Sequence, residues 1–252
     1  MIGAGPVHPG RETLLVLGLS LGASAVYSVV ALADSLSRGP LNGQTTTLNP
    51  SQSPRPLFDL IYQLLGIGTD LVPVLLALYL LARPGAPALR RIGLDGRRPS
   101  FDLAGGALLA LTVGVPGLGL YFAAVGLGLN LNVAASGIGP EWYAIPVLVL
   151  SALRAALQEE VIVVGYLFSR LEELRWRPWA IIAASAGLRG CYHLYQGFGG
   201  FLGNAVMGVL FGLVYRRFGR VAPLVVAHFL LDLVSFVGFD LLRAFAPHLL
   251  PL

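Results

Sequence analysis

The chain has 252 residues, of which 56% are hydrophobic and 12% are charged, and its mean hydropathy is +0.75. A soluble domain of this composition would lack enough polar surface to cover itself. The sequence therefore indicates an integral membrane protein. Its net charge of +4 follows from membrane topology, so we expect no nucleic acid as a partner.

Apolar segments long enough to cross a bilayer, about 20 residues each, occur about seven times. They are residues 14–33, 57–81, 103–127, 142–168, 179–196, 201–215 and 221–242. This predicts an all-α fold, a polytopic bundle of transmembrane helices. The fourth and seventh segments are long enough to contain a break, so an eighth span stays open. We divide the chain into N-terminal spans and loops at 1–141 and a membrane core at 142–252.

The first apolar segment has some features of a cleaved signal peptide. Arg11 precedes it, and Ala31, Leu32 and Ala33 end it. Its apolar run of about 20 residues is longer than the roughly 7–15 of a signal peptide. We therefore interpret it as a retained span.

The basic residues predict the orientation. All 17 are Arg, and they concentrate in every second loop, whereas residues 130–141 and 197–200 contain none. By the positive-inside rule, this places the N-terminus in the cytoplasm and the C-terminus outside, and we expect a bacterial plasma membrane. The three Arg-rich groups are Arg83, Arg90, Arg91, Arg97 and Arg98; Arg170, Arg175 and Arg177; and Arg216, Arg217 and Arg220.

The loops show no sign of a second folded domain. Residues 37–56 are rich in Thr, Asn, Ser and Pro without apolar periodicity, which is typical of an extracytoplasmic loop. Residues 83–100 carry Pro and Gly at intervals that break any helix into short pieces.

Four glycines of the sixth segment are spaced for close helix packing. Gly199 and Gly203 are four residues apart, as are Gly208 and Gly212. Small residues at this spacing share a helix face and let a neighbouring backbone approach. We favour packing inside the bundle over dimerisation.

Glu159 and Glu160 are consecutive carboxylates in the fourth segment. They lie about ten residues before Arg170, which at ~1.5 Å per residue is about 15 Å inside the cytoplasmic edge. Acidic residues at this depth are costly and usually functional. Because adjacent helical residues point about 100° apart, we expect one Glu to face a reaction centre and the other a supporting partner. Alternatively, they form structural ion pairs with Arg154 or Arg189.

Two pairs of polar residues with i,i+4 spacing lie on later segments. Arg189 and His193 share a face of the fifth segment, and His228 and Asp232 share a face of the seventh. A carboxylate one turn from an imidazole can fix its tautomer and orientation. With the two Glu, these residues could activate a water as general base or hold a divalent metal, and both lead to hydrolysis. Further polar side chains around His193 are Tyr192, Tyr195 and Gln196.

At these residues the chain resembles the CPBP family, the CAAX-protease and bacteriocin-processing intramembrane proteases also called the Abi family. The family carries Glu-Glu-x-x-x-Arg on one membrane helix, Phe-x-x-x-His on a later one, and His-x-x-x-Asn or His-x-x-x-Asp near the C-terminus. The resemblance covers residues 142–242. The matching residues, in the same order and on separate segments, are Glu159, Glu160, His193, His228 and Asp232.

Two positions depart from the family pattern. Val164 stands where the first motif has Arg, and Arg189 stands where the second has Phe. We interpret the two changes as a compensation, in which a guanidinium lost from one helix reappears on its neighbour. From there, Arg189 could neutralise Glu160 and support the site.

The resemblance implies an intramembrane endopeptidase that acts on a peptide or membrane-protein substrate. Glu159 with His193 would position and deprotonate the attacking water, and His228 with Asp232 would stabilise the oxyanion. We favour no cofactor, because the His-Glu-x-x-His spacing of common zinc peptidases is absent. A zinc site formed by Glu159, His193 and His228 stays open as an alternative. The oligomeric state is not predicted.

Two alternative functions are a transporter and a catalytically idle membrane protein. A transporter would show matching halves, and the sequence has none. A catalytically idle scaffold or immunity protein of the same fold is compatible with Val164. Asp59 and Asp70, the other acids placed inside spans, are interpreted as packing or pore features.

Overall fold

The computed structural model describes residues 9–245, and these form an almost entirely helical fold. The predicted all-α class is confirmed. The α-helices within this range are α1 (Pro9–Gly18), α2 (Leu21–Arg38), α3 (Pro56–Asp70), α4 (Val72–Leu81), α5 (Ala88–Arg91), α6 (Pro99–Gly126), α7 (Ala144–Glu159), α8 (Leu167–Glu173), α9 (Pro178–Tyr192), α10 (Phe198–Phe218) and α11 (Ala222–Phe245).

Proline and glycine set several helix ends. Pro56, Pro99 and Pro178 occupy the first positions of α3, α6 and α9. A proline is favourable there because the N–H it lacks has no partner within the helix. Gly219 ends α10 with a left-handed φ of 66°, a conformation that glycine adopts without steric cost.

Two irregular segments adjoin the helices of the C-terminal half. A π-helical segment, Glu160–Tyr166, joins α7 to α8, so residues 144–173 form one continuous helix. A 3-10 turn, Leu194–Gln196, follows α9 and leads into α10 through Gly197, whose φ is 113°. Both segments contribute to the site described below.

Three loops meet at one end of the bundle, which we call the Arg-rich end. Ion pairs tie the loops together there: Arg83 contacts Glu173 at 2.6 Å, and Arg216 contacts Glu172 at 3.2 Å. The sequence alternation of basic loops therefore corresponds to one physical face of the molecule. The loops are residues 83–98, 170–177 and 216–220.

Residues 41–50 and 127–138 form the opposite end. They contain a small parallel sheet of β1 (Thr45–Thr47) and β2 (Asn132–Ala134), with Thr45 paired to Asn132. We predicted only loops in both regions. Strands of three residues are too short to show an alternating pattern, and this pairing joins distant parts of the chain.

Within residues 9–245, fewer helices than the predicted seven are long and apolar enough to be counted as membrane spans. Four helical segments among the described residues are long and apolar enough to cross a membrane, or five if α1 and α2, bent by 51°, form one broken span. In the helix at 144–173, α7 has 16 residues and the apolar run contains Arg154, Glu159 and Glu160; α9 has only 15 residues. The qualifying segments are Pro56–Leu81, Pro99–Gly126, Phe198–Phe218 and Ala222–Leu242. The predicted count of seven, or eight, is not confirmed.

The glycines of α10 pack against neighbouring helices within the chain. A Cβ on Gly208 would lie 2.8 Å from the Cα of Ala186 on α9, and a Cβ on Gly199 would lie 2.4 Å from the Cβ of Ala124 on α6. These approaches need residues without a side chain. The predicted packing inside the bundle is confirmed for these positions.

Candidate active site

The π-helical segment begins at the predicted pair of carboxylates. Glu159 is the last residue of α7 and Glu160 is the first of the π segment. π segments add a residue to a helical turn and recur at functional sites. Glu160 is fully buried, whereas Glu159 lines a cavity. One carboxylate therefore faces open space and the other a protein partner, as we expected.

Glu159 has partners on α9 and just beyond it. The Tyr192 hydroxyl donates a hydrogen bond to Oε2 at 2.6 Å. Arg189 Nη1 lies 3.4 Å from the same oxygen, and His193 Nε2 lies 3.9 Å from Oε1. One oxygen is thus held by the protein, and the other faces an imidazole across a gap.

Glu160 joins two helices through a single oxygen. Arg189 Nη2 donates to Oε1 at 2.7 Å, and His228 Nδ1 lies 2.7 Å from the same atom. Oε2 is buried and has no hydrogen-bond partner among the described residues. Arg189 is fully buried and lies against both carboxylates, so it supplies the positive charge that the pair needs in an apolar interior.

His228 lies between two acids. Its Nδ1 faces Glu160, and its Nε2 lies 3.5 Å from Asp232 Oδ2, one helical turn further along α11. Asp232 and His228 both line the cavity. The imidazole is therefore fixed on one side by a buried carboxylate and presents its other nitrogen to open space.

His193 does not lie on a helix, although we placed it inside the span at residues 179–196. It is the residue after α9, and it starts the 3-10 turn. The Gln196 side-chain amide nitrogen lies 3.3 Å from His193 Nδ1. Nε2 is buried without a hydrogen-bond partner among the described residues and points toward Glu159. The turn moves the ring away from the regular helical face and over the carboxylate.

The site opens into a cavity of about 1580 Å³. Four of the five predicted catalytic residues line it, and Glu160 and Arg189 lie behind them. Most of the remaining walls are apolar and come from α6, α10 and α11. The lining residues of the site are Glu159, His193, His228 and Asp232.

The positions of the carboxylate and imidazole donor atoms test whether the site could bind zinc. Among the described residues, one group of three or more could hold a metal ion, Glu159, Glu160 and His228, whose ligand atoms lie within 4.8 Å of one another. This set contains Glu160 in place of His193. However, the Arg189 guanidinium already contacts both carboxylates, at 2.7 and 3.4 Å. A divalent cation would have to displace a buried charge of the same sign, so the donor set fits a metal poorly.

Asp59 and Asp70 lie apart from the site, whereas Arg154 lines the cavity. Asp59 accepts a hydrogen bond from the Tyr143 hydroxyl at 2.9 Å, and Asp70 pairs with Arg154 at 3.3 Å. Neither acid lines the cavity. Arg154 also contacts neither Glu159 nor Glu160, so the structural pairing that we considered for it is not present.

Tyr192 is the contact that sequence reasoning missed. We noted it only as part of a polar group around His193. Its hydroxyl makes the shortest contact to Glu159, and the side chain is buried. A signal was present, since a hydroxyl next to His193 on an intramembrane helix needs a partner, but the sequence did not say which.

Comparison with known proteins gives one match. Residues 140–234 match the model of a family described as type II CAAX prenyl endopeptidase Rce1-like. No curated protein and no solved structure matches the chain. The matched segment contains every predicted catalytic residue and carries the geometry described above. Over this segment, the match supports the resemblance to the CPBP family of CAAX-type proteases that the sequence motifs indicate.

Proposed function

We propose that the protein is an intramembrane endopeptidase in which Glu159 activates a water that attacks a peptide carbonyl. One observation carries this proposal: acids and imidazoles from three separate parts of the chain meet at the floor of a single cavity. Polar contacts that only hold the helices together would not need to line a cavity of this size.

The gap between Glu159 and His193 has the size for a water. Oε1 and Nε2 are 3.9 Å apart, too far for a direct hydrogen bond and suited to a bridging one. With Gln196 donating to Nδ1, the ring carries its proton on Nε2 and donates it to the water oxygen. The water then donates to Glu159, which takes its proton as the water attacks. Tyr192 and Arg189 hold the other oxygen of Glu159 in place during this step.

His228 supplies the opposite half of the reaction. Its Nδ1 is bound by Glu160, which leaves the Nε2–H free to donate to the carbonyl oxygen as negative charge develops there. Asp232, whose Oδ2 lies 3.5 Å from this Nε2, orients the ring. When the tetrahedral intermediate collapses, the proton held by Glu159 passes to the leaving amine, so the proton balance closes.

We propose that no metal takes part. The argument is the position of Arg189, which occupies the space beside both carboxylates where a cation would bind. Every proton and charge in the reaction above is held by the side chains of this chain.

The test uses purified protein in lipid vesicles with a mixed library of membrane peptides. The wild type is expected to cleave library members with or without a chelator, and Glu159→Gln is expected to lower cleavage by at least about 10³-fold, the scale on which catalytic groups act. The matched control is Glu172→Gln at the Arg-rich end, whose side chain is 55% exposed. It should cleave as the wild type does.

Two outcomes would contradict the proposal. If a chelator abolished cleavage and zinc restored it, the metal-free mechanism would be wrong. If the wild type and Glu159→Gln behaved alike while both stayed folded, the chain would be a catalytically idle scaffold or immunity protein, for which Val164 in place of the family's Arg is the favouring observation.

A further inference from the structure

We propose that this protein receives its substrate from the extracytoplasmic side of the membrane and cuts a peptide bond in the extracytoplasmic half of the bilayer. This inference rests on the proposed peptidase function. It adds the direction of access and, with it, the substrate class: an apolar peptide segment whose cleavage site is presented from outside the cell.

The first observation is where the cavity lies along each helix. On α6 its lining starts at Ala107 and ends at Phe122, although the helix begins eight residues earlier at the Arg-rich end. On α11 it starts at His228 and extends to Phe245. The cavity thus occupies the half of the molecule away from the Arg-rich end, with the site at its floor.

The same half is used on the remaining helices. The lining residues of α10 end at Met207, before the C-terminal half of that helix. On α7, Glu159 is the lining residue nearest the Arg-rich end. Four helices therefore agree on one direction.

The second observation is that the path from the Arg-rich end is closed. Every residue of the π segment Glu160–Tyr166 is fully buried, and so are Phe168, Phe211 and Leu224. Below them, Arg220 binds Asp102 through two contacts of 2.7 Å each. A peptide could reach Glu159 from that end only by disrupting the core.

The third observation is the composition of the opposite end. Residues of β1, β2 and their flanks line the cavity there, and several carry side-chain amides or hydroxyls suited to an extended peptide backbone. On α6, the Tyr121 hydroxyl oxygen already accepts a hydrogen bond from the backbone N–H of Val133 at 3.0 Å. The polar residues at this end of the cavity are Thr45, Asn49, Asn130, Asn132 and Tyr121.

The arginines assign the two ends to the two sides of the membrane. Three loops at one end carry groups of five, three and three arginines, whereas the opposite end carries Arg38 and Arg55 on its long loop and none in residues 127–138. Arginine-rich short loops stay in the cytoplasm. The open half of the molecule is then the extracytoplasmic half. Cytoplasmic peptide tails would meet the closed side.

The first experiment measures access without requiring catalysis. Cys191 is the single cysteine of the chain, so Cys191→Ser gives a background without thiols. Ser235→Cys then places a thiol in the cavity wall on α11, and Ser100→Cys places an exposed thiol at the Arg-rich end as the matched control. Both are treated with a membrane-impermeant maleimide in intact spheroplasts and in inverted vesicles.

We expect Ser235→Cys to react in spheroplasts and Ser100→Cys only in inverted vesicles. Reaction of Ser235→Cys in inverted vesicles alone, on both sides, or on neither side would overturn the proposed direction of access. None of these outcomes depends on proteolysis, so they do not bear on the proposed function.

The second experiment tests the cleaved bond. Two model substrates carry the same apolar cleavage segment, one near the outer and one near the inner surface of the membrane. Cleavage of the outer one by the wild type, and not by Glu159→Gln, is the expected result. Cleavage of the substrate with the inner segment alone would support the peptidase function but refute access from the extracytoplasmic side. If neither is cleaved while Ser235→Cys still reacts from outside, the peptidase function itself fails.

Discussion

Arg189 is the residue on which the charge balance of the site depends. It is fully buried and contacts two carboxylates, one of which, Glu160, is also fully buried. Buried ions are tolerated only when paired, and removing one partner leaves an uncompensated charge. The compensation that we inferred from Val164 and Arg189 therefore has a geometric counterpart: the guanidinium lies on Glu160.

Arg189→Gln should destabilise the fold by about 3–5 kcal/mol, because it leaves the two carboxylates without their cation. Arg154→Gln is the control, since Arg154 pairs with a half-exposed Asp70 and should cost less than about 1 kcal/mol. Thermal unfolding of both variants in detergent measures the difference. If Arg154→Gln proved the more damaging of the two, the compensation idea would be wrong.

Tyr192 is expected to position Glu159 for its role as base. Tyr192→Phe removes a hydrogen bond to a carboxylate, worth about 1.5–3 kcal/mol, and should lower kcat about 10–100-fold with little change in KM. Tyr27→Phe, on the exposed face of α2, should leave both constants unchanged. A loss of stability with kcat preserved would show that the Tyr192 hydroxyl is only structural.

At the scale of elements, a contact between loops closes the Arg-rich end. Gly93 has a left-handed φ of 68°, and a Cβ there would lie 2.5 Å from the Gly219 carbonyl oxygen and 2.6 Å from the Arg220 Cα. This lets the loop after α5 pack on the turn between α10 and α11, where Arg220 binds Asp95 and Asp102. These contacts fix the start of α11, and therefore the position of His228 along the axis of the bundle.

Gly93→Ala should be more destabilising than Gly96→Ala. Both glycines have left-handed φ, of 68° and 65°, so both variants incur the backbone cost of about 1–2 kcal/mol. A Cβ on Gly96 meets nothing within 4 Å, whereas one on Gly93 meets backbone, which adds about 1–3 kcal/mol. Unfolding in denaturant compares the pair, and equal losses would refute the steric argument.

The same loop predicts an acid dependence of stability. Burial alone would raise the pKa of Asp95, but the Arg97 backbone N–H and the Arg220 guanidinium together lower its pKa below the ordinary 3.8. A lowered pKa contributes stability that is complete above the ordinary value and is lost as the pH falls through the folded value. The difference in melting temperature between wild type and Asp95→Asn should therefore shrink below about pH 4. A difference that is constant or grows toward acid would contradict this.

At the scale of the whole molecule, the two ends differ in both charge and openness. Ion pairs close the Arg-rich end, and the cavity occupies the other half. Helix α1 lies at the Arg-rich end, where Glu12 forms an ion pair with Arg170 at 2.7 Å. Helix α11 starts at that end and runs toward the opposite one. The predicted orientation of the termini themselves concerns residues outside the described range.

Tags at the two termini test this orientation. Protease added to intact spheroplasts should remove a C-terminal tag and spare an N-terminal one, because an odd number of crossings separates the termini in the predicted topology. Permeabilised cells, in which both tags should be lost, are the control. Loss of both tags, or of neither, from intact spheroplasts would mean an even number of crossings.

The sequence by itself determined the membrane location, the helical class and the residue types of the site. These properties are local. Hydropathy over about 20 residues indicates a span, and an ionisable residue within a span indicates a functional position. The family resemblance also rested on local motifs, and the match at residues 140–234 confirms it.

Only the tertiary structure decided how those residues meet. The π segment from Glu160, the turn that carries His193, the Tyr192 contact and the half of the bundle that holds the cavity all depend on helices distant in the sequence. Hydropathy cannot distinguish a lipid-facing helix from a buried one, and the predicted count of seven spans is not confirmed. A side chain's partner across a bundle is set by packing, which no single segment encodes.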